Sequence, residues 1–169
     1  MIKFRRALLV LLIVIACIGC DQATKSIAKA YLPMHSTLSF FGDTVRVQYA
    51  ENDGAFLSLG ASLPQKLRML IFIGGVSLFL ISAFIYLIFA SGLNSSVIAG
   101  ISLVIGGGLS NLLDRIAYNG HVVDFLNLGL GWLRTGIFNL ADLAIMLGML
   151  LLVLGNISAS GRQNLSPKG

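Results

Sequence analysis

Leu67-Arg-Met-Leu-Ile-Phe-Ile-Gly-Gly-Val-Ser-Leu-Phe-Leu-Ile-Ser-Ala-Phe-Ile-Tyr-Leu-Ile-Phe-Ala90 settles what kind of fold this chain can adopt. From Met69 onward it carries no charged residue, and it exceeds the roughly 20 apolar residues that a helix needs to cross hydrocarbon. The whole composition agrees with a chain built for a bilayer. It is 56% hydrophobic and 11% charged, with a mean hydropathy of +0.88, whereas soluble domains carry about 25% charged residues.

Toward the N-terminus, Ala7 to Gly19 is a second apolar run, preceded by Lys3, Arg5 and Arg6. Alone it could pass for a signal peptide, and Ile18-Gly19-Cys20 even resembles a lipoprotein processing site. Asp21 to Ala30 completes it with good helix formers and neither Gly nor Pro, so it reads as a retained helix. Toward the C-terminus, Val97 to Asn111 extends to Ile116, and Leu140 to Ile157 gives a last apolar run. The expectation is one membrane-embedded domain over residues 1–160 with spans at about 7–28, 67–90, 97–116 and 140–157. Residues 161–169 read as a disordered tail. Four spans put both termini on one side, and the basic N-terminus with Arg162 and Lys168 marks that side as cytoplasmic. Lys25, Lys29, Arg46, Lys66 and Arg68 fall on the other side and oppose that assignment.

Two outer segments remain. In Thr44-Val45-Arg46-Val47-Gln48-Tyr49 the alternation places Val45, Val47 and Tyr49 on one face of a strand, and Leu38 to Phe41 can pair with it across Gly42-Asp43. Ala117 to Ile137 is rich in Gly, Leu and aromatic residues and includes the single Trp132. It reads as an element lying in the membrane interface.

The net charge of +5 does not point to nucleic acid, because the basic residues form no patch. Cys17 and Cys20 both lie in the first run and cannot make a disulfide framework. His35 and His121 stand apart, with no Cys/His cluster, so no protein-bound zinc site is expected.

Chemistry falls to the acids. Only 7 of the 169 residues are acidic, and a carboxylate near hydrocarbon is a functional hypothesis by default. Asp21 ends span one, Asp114 ends span three, Asp142 begins span four, and Asp124 lies between the last two. The topology gathers all four at the outer face. Asp21 and Lys25 form an i, i+4 pair; Asn111, Asp114 and Arg115 line one helical face. Asp114 beside Arg115 reads as an ion pair or an orienting network. Asn139 and Asp142 are i, i+3, which lets an amide orient a carboxylate. Gly106-Gly107-Gly108 reads as close helix packing, and Asn52-Asp53-Gly54-Ala55 as a turn.

No Gly-x-Ser-x-Gly, Ser/Lys dyad or metal motif is present. What remains is a carboxylate pair, in which one member activates water and the other protonates the scissile carbonyl without a cofactor. Two other readings stay open. A proton-pathway or transporter subunit would also carry intramembrane carboxylates, although it favours acids near the bilayer middle. The chain could instead be a lipoprotein modified on Cys20, although Cys17 fits that processing site poorly.

Asp21-Gln-Ala-Thr-Lys25, Asn52-Asp-Gly-Ala55, Gly107-Gly-Leu-Ser-Asn-Leu-Leu-Asp-Arg115, Val122-Val-Asp-Phe125 and Phe138-Asn-Leu-Ala-Asp142 resemble, in order, the five blocks of lipoprotein signal peptidase (signal peptidase II). The resemblance runs from about residue 5 to residue 157. It implies an all-α membrane protein of four transmembrane helices, with a small extracytoplasmic β-structure and an interfacial helix. It implies a bacterial inner-membrane aspartic endopeptidase that cleaves diacylglyceryl-modified prolipoproteins before the lipidated Cys. Such an enzyme needs no cofactor, metal or nucleic acid, and is expected to be a monomer contacting membrane lipid and the signal peptide. By the same resemblance Asp124 and Asp142 are the catalytic pair. Asp21, Lys25, Asn52, Gly54, Asn111, Arg115, Asn139 and Ala141 match supporting positions, and Asp114 matches the acidic partner of Arg115. The chain departs from the family in two places: an aromatic at Phe56, before Leu57, and Ser110 before Asn111.

Overall fold

The computed structural model describes residues 2–34, 36–54, 60 and 62–164. Among them, four long helices, α1 (Ile2–Tyr31), α2 (Gln65–Phe89), α3 (Ser95–Ala117) and α4 (Leu140–Asn164), carry a small sheet at one end. The strands are β1 (Thr37–Phe40), β2 (Val45–Asn52), β3 (Val122–Leu130) and β4 (Leu133–Arg134), antiparallel in the order β1-β2-β3-β4.

The packing is inverted relative to a soluble protein. Phe4, Leu70, Phe79 and Leu147 face outward, whereas Asp21, Lys25, Asp114, Asp124 and Asn139 are buried. Water would penalise that arrangement on both counts, and a hydrocarbon surround favours it. Three helices, over 4–31, 65–89 and 95–117, are long and apolar enough to cross a membrane, and the stretch 140–156 is a shorter apolar helix.

α3 is the hub. Half of its most apolar stretch is buried, against 11% for α1 and for α2. Its three consecutive glycines explain how neighbours come so close, since successive helical residues point about 100° apart. A Cβ on Gly106 would meet Val14 and Cys17 of α1, one on Gly107 would meet the Ala141 carbonyl of α4, and one on Gly108 would meet Leu80 of α2. Each glycine therefore admits a different helix. Val10, Leu87, Ile101 and Ile105 close the apolar centre between α1, α2 and α3.

The first hairpin forms as its alternation predicts, with Phe41, Gly42 and Asp43 all at positive φ in the turn. Val47 and Tyr49 pack on Ala28, Leu32 and Phe125, which seats the sheet on the end of α1. The segment 117–137, expected only as an element at the membrane interface, takes the form of the strands β3 and β4. Val122, Val123 and Phe125 are buried, and β2 offers an open edge with matching register from Asn52↔Val122 to Val45↔Leu128. Strand pairing satisfies the backbone where a lone apolar helix would have no second surface to cover. Trp132, in the β3–β4 turn, is 93% exposed. α4 continues to Asn164, past the domain end expected at 160; residues 165–169, and His35, lie outside the described residues.

Candidate active site

The site is built where β3 runs beside the start of α4. After β4 the chain returns along β3, and Phe138 exchanges backbone hydrogen bonds with Leu126 at 2.8 Å in each direction. That pairing delivers Asn139 beside Asp124. Asn139 is also the N-cap of α4. Its Oδ1 accepts from Asp142 N at 2.9 Å, while Asp142 Oδ2 accepts from Asn139 N at 3.3 Å. This reciprocal capping arrangement satisfies amides that the helix itself leaves free, and it fixes Asp142 at the helix start.

Asn139 serves both acids. Its Nδ2 donates to Asp124 Oδ1 at 2.6 Å. Asn52 Nδ2 donates to Asp124 Oδ2 at 2.8 Å, reaching diagonally across the ladder because Ala50 is the partner opposite Asp124. Asn111 Nδ2 donates to Asp142 Oδ1 at 2.9 Å. Each carboxylate is thus aimed by amides, which supply donors without a neutralising charge. Asp124 is 1% exposed. Burial is the main cause raising its pKa, to about 7. The Asn52 and Asn139 hydrogen bonds work against the rise, and the Asp142 charge adds to it.

Behind the pair lies a buried charged network. Lys25 Nζ sits 2.6 Å from Asp21 Oδ2 and 2.8 Å from Asp114 Oδ2, and donates to Asn111 Oδ1 at 2.9 Å. The i, i+4 pair expected in the sequence is present, and it is buried rather than interfacial. Asp21 also accepts from Ala141 N at 2.9 Å and from Ser110 Oγ at 2.7 Å. Asp114 accepts from Gln22 Nε2 at 2.7 Å and Val123 N at 3.1 Å. The network therefore ties α1 and α3 to β3 and the first turn of α4, on either side of the two carboxylates.

The expected Asp114–Arg115 ion pair does not form. Neighbours on a helix point about 100° apart, so Asp114 faces Lys25 while Arg115 faces the loops. The Arg115 guanidinium donates to the Gly54 and Gly120 carbonyls and lies 4.9 Å from the Phe72 ring. Phe72 comes from Leu70–Gly75, a π-helical turn within α2. Asn52 and Gly54 form the expected turn, Gly54 N donating to Asn52 Oδ1 at 2.9 Å; Ala55, Phe56 and Leu57 lie outside the described residues. Gln22 and the Asp53–His121 and Asp53–Arg68 contacts escaped the sequence reading. Gln22 lay in plain view within Asp21-Gln-Ala-Thr-Lys25, between the two charged residues.

A carboxylate pair held by amides, one member with its pKa near neutrality, suits proton transfer to and from water and a carbonyl. Comparison with known proteins identifies a family. The chain is 33% identical over 142 residues to the lipoprotein signal peptidase of Chlorobium phaeobacteroides (strain DSM 266), covering 79% of this chain and 81% of that one. It is 31% identical over 160 residues to that of Moorella thermoacetica, covering 93% and 98%. A solved bacterial membrane enzyme at 2.3 Å resolution shares the fold, with a TM-score of 0.81, 24% identity and coverage of 95% of this chain and 94% of that one. The sequence model described as signal peptidase (SPase) II matches residues 13–158, and the chain belongs to that family.

Proposed function

We propose that this protein is a membrane aspartic endopeptidase that removes signal peptides from diacylglyceryl-modified prolipoproteins, cutting before the lipidated Cys. The observation that carries the reading is Asn139, which caps the helix bearing Asp142 and at the same time donates to Asp124. The pair holds one proton near neutrality, placed on Asp124, whose pKa is pushed up to about 7. Asp142 takes a proton from water as that water attacks the scissile carbonyl, and Asp124 donates to the carbonyl oxygen. As the tetrahedral intermediate collapses, Asp142 passes its proton to the leaving amine and Asp124 takes one back from the intermediate's hydroxyl, which restores the pair.

Asn52, Asn111 and Asn139 orient the pair, Asp21, Lys25 and Asp114 hold the helices that carry it, and Gly54, Arg115 and Ala141 fix the surrounding backbone. α4 serves as the fourth span, both termini face the cytoplasm, and the carboxylates sit near the extracytoplasmic surface, with Trp132 in the interface. The protein works as a monomer, without metal or cofactor. A transporter reading is less well supported, because the acids gather at one end of the bundle, where α1, α3, β3 and the start of α4 meet, rather than along a path through it. The test is processing in cells. Asp124→Asn and Asp142→Asn should each accumulate unprocessed prolipoprotein while remaining folded in the membrane, and normal processing by either would remove the proposal.

A further inference from the structure

At the end of the bundle remote from the carboxylates, α1 and α2 both pack on α3 and leave a groove of about 810 Å³ between them. Val10 and Leu87 form its buried floor, and Leu11, Phe84 and Ile88 are its exposed apolar walls. Arg6 stands at its mouth. Arg6 Nη1 donates to the Ala90 carbonyl at 2.8 Å, but Nε and Nη2 are buried with no partner among the described residues. Donors left in that state cost about 1–3 kcal/mol apiece, so turning the guanidinium outward onto an acceptor at the groove mouth is favoured.

The chain offers no side-chain counter-ion there. Its 7 acids are Asp21, Asp43, Glu51, Asp53, Asp114, Asp124 and Asp142, all in the network or on the sheet side. Arg6 precedes Asp21 on α1 by about four turns, roughly 22 Å. With Asp21 near the outer boundary of a hydrocarbon core about 30 Å thick, that leaves the Arg6 backbone about 8 Å inside the opposite boundary, from which a long guanidinium side chain reaches the headgroups, and the exposed Arg5 lies beside it.

We infer that this groove is a binding site for an anionic phospholipid, its phosphate paired with Arg6 and one acyl chain lying along Val10, Leu11, Phe84 and Leu87. A guanidinium fork matches phosphate oxygens in a bidentate pair, and the apolar walls take the chain. Bulk lipid could fill the groove but would not discriminate by headgroup.

The experiment is native mass spectrometry of the full-length protein from mixed micelles containing phosphatidylglycerol or phosphatidylcholine. The wild-type protein should retain phosphatidylglycerol about fivefold over phosphatidylcholine, the effect of one basic residue meeting an anionic lipid. Arg6→Gln should bring the ratio to parity. Ala7→Trp, which fills the groove and leaves Arg6 in place, should do the same and guards against a folding defect in the first variant. Parity in the wild-type protein, or a preference that survives either variant, overturns the inference.

Discussion

Asn139 donates to Asp124 at 2.6 Å from the residue that starts the helix of Asp142. One side chain thus sets both the position of one acid and the helix geometry of the other. The two roles can be separated by substitution. Asn139→Ser keeps a good N-cap but is too short to reach Asp124, whereas Asn139→Ala loses both. Cleavage kinetics should show both variants slowed at least tenfold, consistent with losing a group that positions an acid–base pair. Thermal unfolding should show a loss of about 1 kcal/mol for Asn139→Ala from the missing cap, and little for Asn139→Ser.

Asp124 makes activity and stability depend on pH in a defined direction. In the proposed mechanism Asp124 is the acid and must be protonated, so kcat/KM should fall as pH rises through about 7. Folding favours its protonated form, because the folded value lies above the ordinary one. The stability linked to that proton is present at low pH and is lost as pH rises through about 7. The gap from 3.8 to about 7 corresponds to at most roughly 4 kcal/mol, shared with Asp142. Thermal melts at pH 5 and pH 8 should show the wild-type protein losing more stability than Asp124→Asn, which has no such proton to lose.

Lys25 is the only cation bonded to both Asp21 and Asp114 among the described residues. Removing it leaves two buried carboxylates uncompensated, a loss on the order of 3–5 kcal/mol. Lys25→Ala should therefore abolish accumulation of folded protein, as judged by size-exclusion profiles in detergent. Asp114→Asn should lower the folded amount as well, since it removes the charge facing Lys25 and one of the two acceptor oxygens that Gln22, Lys25 and Val123 N share. A stable, monodisperse Lys25→Ala protein would show that the network is dispensable for folding.

The three glycines of α3 should rank by what their neighbours can do. At Gly107 an added methyl meets the Ala141 backbone and Ile145, so the first turn of α4 must move. At Gly108 it meets the far end of Leu80 at 2.7 Å, a side chain that can swing aside. Gly107→Ala should cost about 1–3 kcal/mol and displace Asp142, lowering cleavage as well as stability. Gly108→Ala should do neither to a comparable degree. Paired melts and cleavage assays check the order.

Much of this was readable from the residues. Long uncharged runs gave the helices, and alternation around Gly42-Asp43 gave the first hairpin. The i, i+3 spacing of Asn139 and Asp142 marked an amide beside a carboxylate, but not the helix cap that the amide forms. The misreadings share one cause, which is dependence on distant partners. Residues 117–137 form strands because β2 is there to pair with, and nothing local records that. Asp114 chooses Lys25, far away on α1, over the adjacent Arg115, because helical rotation decides which neighbour a side chain can reach. Ser110 was visible only as a departure from the family pattern. Its role, donating to Asp21, needs the packing of α3 on α1 that the glycines permit.

In the proposed mechanism Asp124 and Asp142 act only as a pair. The most direct measurement is cleavage of a purified, diacylglyceryl-modified prolipoprotein by detergent-solubilised wild-type, Asp124→Asn and Asp142→Asn proteins of matched folded concentration. The prediction is a loss of ~10³-fold or more for each variant, as expected when an acid or base is removed from a proton-transfer pair, with size-exclusion profiles unchanged. Cleavage by either folded variant at a rate near that of the wild-type protein would contradict the dyad.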